Sequence, residues 1–422
     1  MFVRAVVSLM FSAAACPAAI TLNVANYNFA NHPNNATDQD QLSMILRFAN
    51  PTRPIDLMMM SETDIGSAPD TAAVMGSVFG GTYASFVAPA DGGGDRTGFV
   101  FNTAELTMIG MPVNVGVGTL THPALRATFR PAGTKGADDF TAYAIHLASG
   151  DTSTVKNTRV TQAQLLRADA AALGTGNVII AGDFNWQKAD DVSAGVGAYR
   201  TFSASGAGQV VDPINRVGNW RGNAAYQDLF TQDPTASLND RFDMQLVGPA
   251  LLNGTGLDYL PGSYRVAGNN GTTAPGGVIT PSGSLTSAVI GAIGEFSDHL
   301  PVLADYRYDP VGLAGDADVD GGVSINDFNT LAGNFGKSTG QSWLTGDFDD
   351  DRGVSINDFN LLAGNFAKST SRSIDFSGLL AFAAANNDLV GFEAATGVPE
   401  PSSLAFVSVA TACFGRRRRR SM

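Results

Sequence analysis

Cysteine is almost absent from the chain. Of 422 residues only Cys16 and Cys413 carry a thiol, and both fall in the terminal apolar segments, so a processed protein would hold no disulfide. Histidine is nearly as scarce, with four residues, which leaves few candidates for any chemistry that needs imidazole. Basic residues are outnumbered, 26 Lys and Arg against 39 Asp and Glu, for a net charge of −13. That balance argues against a broad basic face for nucleic acid, while leaving room for a local positive groove. With 44% hydrophobic residues the chain is globular rather than disordered. Its length exceeds a single core of about 250 to 300 residues, so one sizeable domain with smaller attachments is expected.

Both ends carry targeting patterns. Arg4 precedes "AVVSLMFSAAACPAA", and small residues lead up to Ala18 and Ala19. A charged start, a short apolar core and a small-residue end predict a secretory signal over 1–19 and export to the cell envelope, surface or medium. At the other end a Pro-Glu-Pro turn, the apolar run Leu404 to Phe414 and five arginines, Arg416 to Arg420, follow one another. Eleven residues at about 1.5 Å each span only half of a roughly 30 Å hydrocarbon core, so the run is short for a lasting anchor. This three-part tail, 398–422, resembles the PEP-CTERM sorting signal, which implies removal by an exosortase-type enzyme. A linker over 371–397 precedes it.

Upstream lies a duplication. "GVSINDFNTLAGNFGKST" (322–339) and "GVSINDFNLLAGNFAKST" (353–370) are nearly identical, and spaced aspartates stand before each. Asp316, Asp318 and Asp320 with Asp327, and Asp347, Asp349 and Asp351 with Asp358, occupy positions 1, 3, 5 and 12 of two loops. Oxygen donors at that spacing can surround Ca²⁺. The apolar residues Ile325, Phe328, Leu331, Ala332 and Phe335, and Ile356, Phe359, Leu362, Ala363 and Phe366, recur at helical spacing. The paired loops over 312–370 resemble the dockerin module, a small all-α unit, which implies two bound Ca²⁺ and a cohesin-type partner. Gly321 supplies the sharp turn at position 6 of the first loop, but Arg352 stands there in the second, so a weaker second site is expected.

Residues 20–308 form the expected catalytic domain. Strands that end in acids or amides recur along it at irregular intervals: "ITLNVANYN" ends in Asn28, Ile55 to Met60 lead to Glu62, and "FTAYAIHLASG" carries His146. "VIIAGDFNW" delivers Asp183 and Asn185, "RFDMQLVG" begins with Asp243, and "EFSDHLPVLADY" presents Asp298 and His299. Between them "DQDQLSMILRFA" and "NTRVTQAQLLRADAAAL" have apolar faces at helical spacing. Strands interleaved with helices predict a layered α/β fold, and polar strand ends a shared cleft. The "MMM" run reads as core, 269–284 as a flexible loop, and "DGGGDRTG" (91–98) as a turn able to line the cleft.

The residue types suit phosphoester hydrolysis. That reaction needs an attacking water, relief of charge on the phosphoryl oxygens and help for the leaving oxygen, much of which a hard divalent ion supplies. Mg²⁺ (or Mn²⁺) prefers one or two carboxylates, which suits Glu62 with Asn28 beside it. Asp183 can orient or deprotonate the water, Asn185 can hold it or a phosphate oxygen, and an acid behind His299 would fix its tautomer. Both Asp243 and Asp240 are placed to be that acid, and the strand "MQLV" directly after Asp243 favours the former.

In their order, "NYN", "SETD", "IHLASG", "AGDFNW", "RFDM" and "SDHLPV" resemble the endonuclease/exonuclease/phosphatase superfamily, related to deoxyribonuclease I. The resemblance implies a four-layer α/β sandwich of two packed mixed β-sheets flanked by helices, Mg²⁺-dependent phosphoester hydrolysis, His146 and His299 on the phosphate, and Asp298 at the metal or water. It departs from nuclease members before "THPALRATF", where Thr121 or His122 stands at a place often held by Arg, and the arginine comes later at Arg126. An exported endonuclease or exonuclease, monomeric, is the favoured reading. A phosphoesterase on phospholipid head groups or inositol phosphates is the second, and a non-catalytic scaffold component docking through the calcium loops is the third.

Overall fold

The computed structural model describes residues 20–369 apart from 33–34, 90–94, 117–121, 135, 192–194, 254–255, 309–312, 319–320 and 350. The expected signal, linker and sorting tail lie outside the described residues, as does Asp320 of the first acidic loop. The described residues belong to one compact unit. Among them no helix is long and apolar enough to cross a membrane.

In chain order the elements are β1 (Ile20–Asn28), α1 (Ala36–Ala49), β2 (Leu57–Thr63), α2 (Ser67–Phe79), β3 (Tyr83–Val87), β4 (Arg96–Asn102), β5 (Leu106–Val115), β6 (Ala124–Pro131) and β7 (Phe140–His146). Then come α3 (Ser153–Ala172), β8 (Val178–Asp183), α4 (Ala198–Ser203), β9 (Asp243–Val247), β10 (Asp258–Tyr259), β11 (Arg265–Val266), α5 (Ser287–Phe296), β12 (Val302–Tyr308), α6 (Ile325–Asn334) and α7 (Ile356–Asn365). Two mixed sheets result. One runs β10-β12-β1-β2-β4-β3, with β11 also on β12, and the other β5-β6-β7-β8-β9. The only parallel pairs among the named strands are β1 with β2 and β7 with β8.

Strand alternation builds the layers. In β1, Ile20, Leu22 and Val24 face the space between the sheets, while Ala25 and Tyr27 face the helices on the outer side. In the "MMM" run Met59 points inward between the sheets and Met58 and Met60 outward under helices. In β8, Ile179 and Ala181 join the inter-sheet core, and Val178 and Ile180 pack with residues of α3 and α4. Helices α1, α2 and α5 thus cover one sheet, and α3 and α4 the other. Each fully buried large apolar side chain contributes about 1.5–3 kcal/mol. Asn35 starts α1 by accepting from the amides of Thr37 and Asp38, and Thr152 caps α3 through Val155 N.

The duplicated segment continues the inter-sheet core rather than standing apart from it. Leu331, Trp343, Phe348 and Leu362 belong to the same apolar cluster as Phe99 and Phe129. Trp343 lies over Gly133, where a Cβ would meet the indole at 2.9 Å and φ is +73°, so a side chain is excluded on two grounds. The expected helices form, each begun by a Ser capping box in which Asp327 or Asp358 is the acidic partner. The expected stripe is only half buried: Leu331 and Leu362 are inside, but Ile325, Phe335, Ile356 and Phe366 are exposed.

Arg352 adopts φ +72°, the conformation that Gly321 adopts at +99° in the first loop. Its guanidinium donates to Phe79 O at the end of α2, 3.2 Å away. The residue that breaks the loop pattern is therefore one that ties the repeats to the sandwich.

Candidate active site

Sheet register assembles one half of the site. Across β7, β8 and β9, His146 lies opposite Asp183, and Asp183 opposite Asp243. Gly182 permits this: its φ is +139°, and a Cβ there would sit 2.1 Å from Ile145 O. The turn after it puts Asn185 at φ +53°, its amide N–H donating to Asp183 Oδ1 at 2.8 Å and its Nδ2 to Leu147 O at 3.0 Å. A strand ending in Gly-Asp-Phe-Asn is thus a device for holding one carboxylate rigid. From behind, Arg159 on α3 donates to Ala148 O and Gly150 O, and to Asp191 Oδ2 at 2.5 Å, with both ionic side chains wholly buried.

The other half comes from the facing sheet. Asn28 ends β1, and β2 shifts register between Met60 and Thr63, a bulge that re-aims Glu62 and leaves it at φ +46°. The Asn28 amide donates to Glu62 Oε1 at 2.9 Å and to Asp183 Oδ2 at 3.2 Å, joining the two sheets. Its carbonyl oxygen accepts from Ala30 N, which fixes which way the amide points. As arranged, Asn28 orients the two acids rather than turning an oxygen toward a cation.

His146 Nε2 stands 3.6 Å from Glu62 Oε1 and 3.7 Å from Asp183 Oδ2. Glu62, His146 and Asp183 thus form a group able to hold a metal ion. Burial pushes the His146 pKa down; Asp183 opposes this, and neighbouring His122 acts with burial. His299 Nδ1 lies 2.6 Å from Asp243 Oδ2, and its Nε2 faces Asp183 at 3.8 Å. Burial works against a charged His299, but Asp243's charge and hydrogen bond outweigh it, with Asp183 and Asp298 adding to the rise in its pKa.

Asp240 does not reach His299; its nearest cationic neighbour is Arg221, 3.8 Å away, and burial raises its carboxyl to about 6. Asp298 sits at the rim, its side chain 57% exposed and 3.9 Å from His299 Nε2. Seven of the eight expected residues therefore converge closely, and Asp298 borders them. Arg126 turns away to Asp169 on α3, so it offers nothing to the cleft.

Sequence reasoning missed several supporting residues. Ser297 Oγ donates to Asn28 O and accepts from His299 N. Asn31, at φ +65°, donates through its backbone to Glu62 O and through Nδ2 to Asp95 Oδ1. Only the turn-like "DGGGDRTG" hinted at Asp95. In the acidic loops Asp316, Asp318 and Asp327 group together, as do Asp347, Asp349 and Asp351. Asp327 and Asp358 also accept backbone N–H groups of their own loops.

No family model matches the chain, and no curated protein matches it. Among solved structures it is similar to an endonuclease/exonuclease/phosphatase from Bacteroides vulgatus, at 16% identity over 68% of this chain and 99% of that one, with a TM-score of 0.45. It is also similar to a protein of that family from Bacteroides thetaiotaomicron, at 15% identity over 69% and 99%, TM-score 0.43. A third is D. rerio TDP2 complexed with single strand DNA product, at 13% identity over 68% and 98%, TM-score 0.44. At this level of likeness the functional reading rests on the chain's own side chains.

Proposed function

We propose that the chain is a metal-dependent phosphodiesterase of the endonuclease/exonuclease/phosphatase type, acting on nucleic acid. The observation that carries this is the Asn28 amide bridging Glu62 on one sheet and Asp183 on the other. Two carboxylates so held, with an imidazole beside them, fit one hard divalent cation. Bound Mg²⁺ or Mn²⁺ would supply charge relief on the phosphoryl oxygens and a more acidic water. Glu62 would be its principal ligand, with Asp183 close enough to share it.

The remaining roles belong to the protein. Asp183, fixed by Asn185 N–H, is placed to orient and deprotonate an attacking water. His299, kept protonated by Asp243, presents Nε2 as a donor to a phosphate oxygen. His146, which burial favours as neutral, lines the same cleft, and Asp298 at the rim is left to contact water or substrate. Asn185 would reach the phosphate through amide groups other than the one given to Leu147.

Arg126, committed to Asp169, favours a second reading in which the substrate is a small phosphoester such as an inositol phosphate or lipid head group. The acidic loops are read as Ca²⁺ sites of a dockerin-like module with a cohesin-type partner, on an exported protein trimmed by an exosortase-type enzyme. The test is a substrate panel of duplex and single-stranded DNA, RNA, sphingomyelin and inositol phosphates, with Mg²⁺ and with EDTA. Cleavage of a nucleic acid that EDTA abolishes is expected; hydrolysis of the lipid or inositol phosphates alone would move the assignment to the second reading, and no metal-dependent turnover on any would overturn both.

A further inference from the structure

We propose a second cation site, of transition-metal type, built from Asp95, His122 and His146 on the flank of the Glu62–Asp183 cleft. Each residue offers one ligand atom, and the three atoms lie within 4.8 Å of one another. The donor set differs in kind from the oxygen-rich pair beside it. Two imidazoles and one carboxylate suit Zn²⁺ and its first-row neighbours, whereas Mg²⁺ and Ca²⁺ prefer oxygen.

Three further features support it. His146 is 5% exposed, and its Nδ1 is buried with no hydrogen-bond partner among the described residues; a buried imidazole nitrogen is costly unless something takes it up. Asp95 is already oriented, since Asn31 Nδ2 donates to its Oδ1 at 3.0 Å, the kind of outer hydrogen bond that holds a ligating carboxylate in place. The same Asn31 donates its backbone N–H to Glu62 O at 2.7 Å, so one residue braces both the proposed site and the neighbouring acid.

The rings of His122 and His146 are stacked, with centroids 4.3 Å apart and planes 7° from parallel. Parallel rings cannot both direct in-plane lone pairs at one ion. Binding therefore requires one ring to turn, and His122, only partly buried, is the one able to move. The ligands must also close in, because Zn–N bonds are about 2.0–2.1 Å. With three protein ligands, an ion so held would keep a fourth position open. With it bound, His146 is a ligand, and contact with a phosphate oxygen passes to His299.

The site does not depend on the phosphoester reading, so its test is binding. The intact chain, saturated with Ca²⁺ and Mg²⁺ to fill the oxygen sites, is titrated with Zn²⁺ by calorimetry and with Co²⁺ by visible absorption. One equivalent is expected, with affinity at least ~100-fold weaker in His122→Gln and ~10-fold or more weaker in Asp95→Asn; Glu62→Gln should still bind. Absence of saturable binding, or equal affinity in His122→Gln, would overturn the proposal. Should a variant not fold, imidazole ¹⁵N resonances of the unaltered chain decide: Zn²⁺ must shift those of both His122 and His146, and no shift overturns the site.

Discussion

The Nδ1 atom of His299 lies 2.6 Å from Asp243 Oδ2, and both side chains are buried. The sequence put 55 residues between them; a strand end and a loop before β12 bring them together. Because the pair holds a proton that an isolated histidine would release near pH 6.5, it gives the site a charged donor at neutral pH.

Asp243→Asn should remove that hold. His299 would then titrate nearer its ordinary value, so the alkaline limb of activity moves to lower pH and turnover at pH 8 falls roughly 10²- to 10⁴-fold. The linkage has a definite sign. A raised histidine pKa stabilises the fold fully below the unfolded value of about 6.5, and the benefit is lost as pH rises through the folded value. Urea unfolding across pH 6–10 should show this decline in the parent protein and a flatter curve in the variant.

Arg159→Met should cost about 3–5 kcal/mol, because it strands buried Asp191 without its main partner. Lys156, 3.3 Å from the other Asp191 oxygen, places the loss toward the lower end. Since Arg159 also holds Ala148 O and Gly150 O, the loop behind His146 loosens, and kcat should fall even where the variant is fully folded. Denaturant melts beside steady-state kinetics measure the two effects separately.

Trp343→Ala should cost about 3–5 kcal/mol and lower the stability of the sandwich together with the repeats, because the indole packs on Gly133 and donates to Asp316 O. Hydrogen exchange in β6 and β7 would report it. Protection unchanged in those strands would show that the repeats stand alone.

Removing Ca²⁺ is expected to act in the same direction. At 100 times its dissociation constant, a cation bound to one site stabilises the folded state by about 2.7 kcal/mol. Scanning calorimetry with and without EGTA should therefore show a lower melting temperature for the sandwich as well as for 312–370, and a smaller shift in Asp316→Asn.

Much of this was legible in the sequence, because periodicity and polar strand ends report directly on burial and on a shared cleft. The strands at Ile20–Asn28 and Phe140–His146 follow from alternation, and Val178–Asp183 from a continuous apolar run, and their last residues meet in the site. What sequence could not supply was pairing across the fold. The apolar run directly after Asp243 already favoured it over Asp240 as the partner of His299, but that β9 begins in register with Asp183 is a fact of strand alignment that no local stretch encodes. Asn28 read as a metal ligand by its type, yet the nearby Ala30 N–H fixes its carbonyl and leaves its NH₂ between two acids. Asn31, Asp95 and Ser297 act through partners distant in the chain, so no local pattern marked Asn31 or Ser297, and only a glycine-rich turn hinted at Asp95. Arg352 breaks the loop pattern, and its partner, Phe79 O, lies far from it in the chain.

The most direct test of the central claim is the rate of phosphodiester hydrolysis against Mg²⁺ concentration, for the parent chain and for Glu62→Gln, using a small chromogenic diester. Saturable Mg²⁺ dependence abolished by EDTA, with Glu62→Gln at least ~100-fold slower and needing more Mg²⁺ for half-maximal rate, is the predicted result. Identical Mg²⁺ curves for the two proteins, or hydrolysis that persists in EDTA, would contradict a divalent ion held by Glu62 at the meeting of the two sheets.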